Sequence, residues 1–187
     1  MKMRRGFRTE AEEYAAEFRA ELGVATDGAL CPFRLAALLA VPVVPLSQLN
    51  GFGPSARESA EESVFSATTL ADGTYKMIVH NDSQHPHRQN SNVMHEIAHI
   101  LLGHPAHPPL TEDRCRNFNT VFETEAKELG FTLLISKLSA LRIVESGITL
   151  PQASILYGAS RALIEYRIRI TDANGWALNR RKKQRLN

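Results

Sequence analysis

The stretch Asn92-Val93-Met94-His95-Glu96-Ile97-Ala98-His99-Ile100-Leu101-Leu102-Gly103-His104 decides how the rest of the chain is read. Histidines four apart on a helix share a face, so His95 and His99 can turn both imidazoles toward one metal ion. Glu96 lies about 100° further round, where a carboxylate can act on a water held at that ion. The surroundings predict the helix. Asn90, Ser91 and Asn92 offer capping side chains, Val93 to Leu102 is almost wholly apolar, and Gly103 with Pro105 ends the run.

Two histidines leave a catalytic zinc one protein ligand short. The extended pattern HExxHxxGxxH is absent, because its last two fixed positions are Leu102 and Pro105, and no methionine lies downstream. A later helix, Thr120 to Leu134, offers a carboxylate instead. Glu123, Ala126, Gly130 and Leu133 or Leu134 follow one another at helical spacing and form an inward stripe of small residues. Glu123 is therefore the candidate third ligand, with Glu125 as the alternative. Glu125 and Glu128 fall off the stripe and are predicted to face water.

Arg88-Gln89, the segment Val93 to His104, and Glu123-Thr124-Glu125-Ala126 leading into Leu133-Leu134 resemble the ImmA/IrrE metallopeptidases. That family's pattern runs from an Arg through an HE-x-x-H-x-x-L-G helix to an E-x-E-A-N-x-F-A-x-x-L-L helix. The resemblance spans about residues 30–170, with specific motifs at 88–104 and 123–134. Three residues depart from it: Lys127 where Asn or Asp is favoured, Ser136 where a Pro often follows, and Asn92 for a common Thr. The resemblance implies a zinc ion, with manganese as the alternative metal, held by His95, His99 and Glu123, and Glu96 as the catalytic base. It also implies a regulatory, stress-linked endopeptidase whose substrate is a helix-turn-helix transcriptional repressor, cut once to release its operon. The rival reading is a non-proteolytic regulatory protein with a structural or vestigial metal site that binds DNA or a repressor. Glu96 discriminates, because a structural site has no use for a carboxylate next to its first ligand.

Length and composition set the frame. A chain of 187 residues, 43% hydrophobic and 22% charged, can bury a core as one globular domain. No apolar run approaches the ~20 residues of a membrane span. Met1 to Arg8 is basic without an apolar stretch behind it, unlike a secretory signal. Cys31 and Cys115 stand far apart without a CxxC and read as free thiols of the cytoplasm. The net charge of +2 conceals Arg180-Arg181-Lys182-Lys183-Gln184-Arg185. Such a run reads as a solvated tail, with nucleic-acid contact as the sharper alternative.

The expected fold is α+β: a helix-rich zincin-like domain with an about three-stranded sheet over residues 1–140, a helical hairpin over 141–178 and a basic tail over 179–187. Thr9-x-x-Glu12 reads as a capping box for a helix with Ala11, Tyr14, Ala15, Phe18 and Leu22 at helical spacing, stopped at Gly23. A short helix follows from Pro32 to about Ala40, then an extended Pro42 to Leu46 and a loop over 47–63. Ser63 to Thr69 and Thr74 to His80 read as strands joined through Ala71-Asp72-Gly73, and the edge near Tyr75 to Val79 can accept an extended peptide. Gly103 to Phe118 is irregular. Pro151 to Tyr157 and Ser160 to Ile170 read as helices around Gly158, with Ser154, Gly158 and Ile164 at helix-turn-helix spacing. An ordinary hairpin packed on the catalytic part is the other reading. The remaining histidines, His80, His85, His87, His104 and His107, are placed in loops near the site, and spacing selects none of them. Arg88 is expected to order the site, to steady an oxyanion or to form a structural salt bridge.

Overall fold

Eight α-helices and three strands make up the computed structural model, which describes residues 3–49, 65–105 and 120–186. The helices are α1 (Phe7–Glu21), α2 (Pro32–Leu38), α3 (Pro86–Leu101), α4 (Thr120–Leu134), α5 (Lys137–Ser146), α6 (Leu150–Tyr157), α7 (Arg161–Ile170) and α8 (Ala173–Leu186). The strands are β1 (Val43–Pro45), β2 (Ala67–Asp72) and β3 (Tyr75–His80), in a mixed sheet ordered β1-β3-β2. The fold is α+β. Most of the expected loop at 47–63, most of the irregular segment after Gly103, His107 and Cys115 lie outside the described residues. Among the described residues no helix is long and apolar enough to cross a membrane.

Antiparallel pairing carries β2 and β3 further than their apolar pattern suggests. The register runs from Ala67 opposite His80 to Asp72 opposite Tyr75, so the connection shrinks to Gly73-Thr74, with Gly73 at φ 58°. On its other side β3 pairs in parallel with β1, Val43 opposite Ile78. Tyr75 to Val79 is therefore central strand, and the edges among the described residues are β1 and β2. A parallel pairing between segments so far apart in the chain leaves no local mark, which is why the sequence placed the edge on the wrong strand.

Helix α1 starts at Phe7 behind Gly6 (φ 84°) without a side-chain cap. Glu12, expected to serve a capping box, instead accepts from Arg167 at 2.6 Å and from the Lys137 amide at 2.9 Å. Phe7, Ala11, Ala15 and Phe18 are buried against the core. Helix α3 begins about seven residues before its apolar run. Pro86 takes the first turn, where a missing N–H costs nothing, and His85 Nδ1 accepts from the His87 amide at 3.2 Å. Asn90, Ser91 and Asn92 thus lie inside the helix. Asn90 donates to the Gly158 carbonyl (2.9 Å) and Asn92 to Gln84 Oε1 (2.8 Å).

The inward face of α4 packs on α3. Ala126, Leu129, Leu133 and Leu134 are fully buried, and a Cβ added to Gly130 would stand 3.3 Å from the Met94 carbonyl oxygen and 3.4 Å from His95 Cα. Gly130 lets the two backbones approach at the very turn that carries His95. Glu125 and Glu128, expected in water, are 7% and 4% exposed. α4 is covered on more than one side. Glu128 Oε1 accepts from Arg8 at 3.1 Å and Arg167 at 3.4 Å, and Oε2 from the Tyr166 hydroxyl at 2.9 Å. Stripping a partner from such a buried carboxylate costs roughly 3–5 kcal/mol, so these contacts lock α7 onto α4. Arg19, fully buried and pushed down to about 10 by desolvation, still carries its charge at neutral pH. It donates to the Leu133 carbonyl at 3.0 Å, at the negative end of α4.

Two departures from the family pattern have local explanations. Ser136 is the N-cap of α5, its hydroxyl accepting from the Ser139 amide at 3.1 Å. Lys127 is exposed on α4 with Nζ 5.6 Å from the Phe131 ring centroid. The hairpin α6–α7 turns at Gly158 (φ 59°) and is tied down by the Asn90 and Tyr166 bonds and by Arg167 Nε donating to the Ile135 carbonyl at 2.7 Å.

The basic run is the last part of α8. Its Arg, Lys, Gln and Leu residues are good helix formers, and Ala173 and Ala177 are buried while Lys137 Nζ sits 4.0 Å over the Trp176 ring. Beyond Leu178 the described side chains are exposed, and Arg180 meets Glu145 at 3.3 Å across a half-exposed pair. Such a pair is worth about 0–1 kcal/mol. Deleting residues 179–187 is expected to lower the melting temperature by less than ~4 °C. A fall of ten degrees or more in thermal unfolding would show that these turns are packed.

Candidate metal centre

Three donors from two helices converge. His95 and His99 sit one turn apart on α3, their rings edge to face with centroids 4.6 Å apart, and Glu123 comes from the first turn of α4. His95 Nε2 lies 3.3 Å from Glu123 Oε2, His99 Nε2 lies 3.4 Å from Glu123 Oε1, and the two Nε2 atoms are 3.1 Å apart. Among the described residues these three form the one group of histidine, cysteine and carboxylate side chains with the spacing to hold a metal ion. The separations suit one. Donors at 2.0–2.2 Å from a tetrahedral centre stand roughly 3.4 Å from one another. Two imidazoles and a carboxylate also suit zinc or manganese chemically. The bonds from His95 and then His99 hold the Glu123 carboxyl well below the usual carboxylate range, so it is ionised as a ligand must be. Glu125, the alternative from sequence, points away from this cluster toward His104 (3.8 Å) and Arg4 (3.5 Å).

Glu96 is held from the sheet. Thr69 Oγ1, on β2, donates to Glu96 Oε2 at 2.6 Å, and Oε1 has no hydrogen-bond partner among the described residues. The site opens on one side: the His95 and Glu123 side chains are 30% and 27% exposed, His99 only 11%. There a cleft of about 860 Å³ runs past His95, Asn92, Glu123, Lys127, Phe131 and Tyr166.

The other histidines disperse. His80 is buried at the end of β3 against Phe33, its Nδ1 without a partner among the described residues. His85 caps α3, and His87 Nδ1 lies 3.3 Å from Ser154 Oγ. Arg88 is exposed, makes no ion pair among the described residues, and lines a separate groove with His87, Ser154 and Arg161. Among the described residues His104 alone of these joins the centre, with Nδ1 3.0 Å from His99 Nδ1. Burial, then the neighbouring His99, pushes its imidazole below the usual range, toward the neutral form. Sequence reasoning missed Thr69, for which no local signal exists. It left His104 unselected, although a residue directly after a helix-ending Gly folds back over the last turn.

A helix pair presenting two imidazoles and a carboxylate beside a small sheet is a donor arrangement that zinc metallopeptidases use. A family model described as IrrE N-terminal-like domain (Peptidase_M78) matches residues 57–169, more than half of the chain and inclusive of both motif helices, and the chain belongs to that family of metallopeptidases. No curated protein matches it.

Proposed function

We propose that the protein is a cytoplasmic zinc-dependent endopeptidase, regulatory in role, that cleaves a helix-turn-helix transcriptional repressor. The observation that carries the enzymatic reading is the pairing of the His95–His99–Glu123 cluster with a Glu96 carboxylate that Thr69 holds by one oxygen only. His95, His99 and Glu123 would hold the metal, with manganese as the alternative to zinc. When bound, the ion supplies a Lewis acid that lowers a water's pKa toward ~7 and polarises a carbonyl. Glu96 accepts the proton of the attacking water at Oε1 and passes it to the leaving amine. Thr69 keeps the carboxylate from rotating away and occupies the oxygen not used for the transfer.

The peptide is held by the chain itself. An extended segment added along β2 lies next to Thr69, and therefore next to the base. Flanking side chains enter the cleft between Asn92, Phe131 and Tyr166. A purely structural metal site in a non-proteolytic DNA- or repressor-binding protein gives no role to a hydrogen-bonded carboxylate beside the first ligand, and this favours the peptidase. The resemblance to the family supports the repressor substrate, and an exposed thiol at Cys31 without a disulfide among the described residues supports the cytoplasm.

Incubation of the zinc form with casein and with the repressor encoded beside its gene, read by mass spectrometry, tests the proposal. A single cut in the repressor and intact casein are expected. Broad casein degradation would sink the regulatory reading, and an uncut repressor the substrate.

A further inference from the structure

Helix α3 ends on a Schellman cap. Gly103 takes φ 64°, the His104 amide donates to the His99 carbonyl at 3.0 Å, and the Gly103 amide to the Ile100 carbonyl at 3.2 Å. This closure folds His104 back over His99, ring centroids 5.0 Å apart at 67°. The His104 ring then stacks on Phe122, the residue before Glu123, at 4.4 Å and 19°. Its Nδ1 is 3.0 Å from His99 Nδ1, and its Nε2 is 3.8 Å from Glu125 Oε2. The His104 and Glu125 side chains are 6% and 9% exposed, and Glu125 Oε1 is 3.5 Å from Arg4 Nε.

Proton placement follows from the chemistry of the two rings. If His99 holds the metal through Nε2, as proposed above, its only N–H is at Nδ1. Two Nδ1 atoms at 3.0 Å need one proton between them, so His104 Nδ1 must be the bare acceptor. The proton of neutral His104 then sits on Nε2 and faces the Glu125 carboxylate. One direction runs through the whole series: His99 donates to His104, which turns its own N–H to Glu125.

We propose that His104 is a positioning residue of the metal centre. It fixes the tautomer and ring angle of His99, and, through Phe122 and Glu125 on either side of Glu123, it ties the end of α3 to the first turn of α4. A side chain kept for packing alone has no need of a neutral nitrogen aimed at the back of a ligand. Partners of this kind are typically worth roughly 10- to 100-fold in metal affinity.

The zinc-loaded wild-type protein tests this without mutation. Long-range proton–nitrogen NMR correlations are expected to show an Nδ1–H on His99 and an Nε2–H on His104; an Nδ1–H on His104 overturns the proposal. Zinc affinity by chelator competition gives the second readout. His104→Leu keeps bulk but no acceptor and is expected to bind zinc roughly 10- to 100-fold more weakly. His104→Gln is expected to recover most of that loss, since its amide oxygen can accept from His99 and its NH2 can face Glu125. Wild-type affinity in His104→Leu, or equal losses in both variants, would overturn the positioning role. His95→Ala measured alongside separates the two levels. If it keeps zinc, the site itself is misread; if it loses zinc while His104→Leu does not, only the role of His104 fails.

Discussion

Glu96→Gln is expected to keep metal and fold and to lose peptidase activity by roughly 10²- to 10⁴-fold. The amide has nearly the shape of the carboxylate, and Thr69 can still donate to its oxygen, so the geometry at 2.6 Å survives. What disappears is the ability to take a proton. Metal content, thermal unfolding and single-turnover cleavage measured on one preparation check this, and wild-type turnover would remove Glu96 from the chemistry. Thr69→Val is the graded companion. It leaves the base but frees its rotamer, so kcat should fall, by less than in Glu96→Gln, while KM stays.

His95→Ala, His99→Ala and Glu123→Ala are each expected to weaken the binding of one zinc per chain by about a hundredfold or more. Protein zinc sites with four ligands bind with about 10–16 kcal/mol, so one donor is worth on the order of 3 kcal/mol, a hundredfold or more in affinity. Here the three donors stand within 3.4 Å of one another, so losing any one opens the cluster. Glu125→Gln is the control on the same helix. Its side chain faces His104 and Arg4, and it should retain zinc far better than Glu123→Ala. The reverse order by metal analysis would mean that the face of α4 was misassigned.

The two motif helices were legible because their signals are local. An HExxH repeat needs only the 3.6-residue turn to bring two imidazoles together, and the small-residue stripe ending in Gly130 marks a face that must meet another backbone closely. Boundaries were less legible. Asn90, Ser91 and Asn92 look like caps, yet their side chains are taken by Gly158, the His87 carbonyl and Gln84, and the helix starts at Pro86. The capping box at Thr9 and Glu12 failed for the same reason: Glu12 is drawn to Arg167, a residue from the far end of the chain. The burial of Glu125 and Glu128 escaped the helical pattern because a pattern assigns one inward face, whereas α4 is covered by α1 and α7 as well.

By itself the sequence determined which residues could serve as ligands and base, since identity and helical spacing are properties of short segments. It also determined that strands precede the HExxH helix and that a Gly ends it. Only the tertiary structure decided which strand is central, which oxygen of Glu96 is held, and which of the four further described histidines stands behind His99. Each of these depends on contacts between residues distant in sequence. The β1–β3 pairing, the Thr69–Glu96 bond and the His104–Phe122–Glu125 cluster form when the core brings separate elements together, and no period within any one element encodes them.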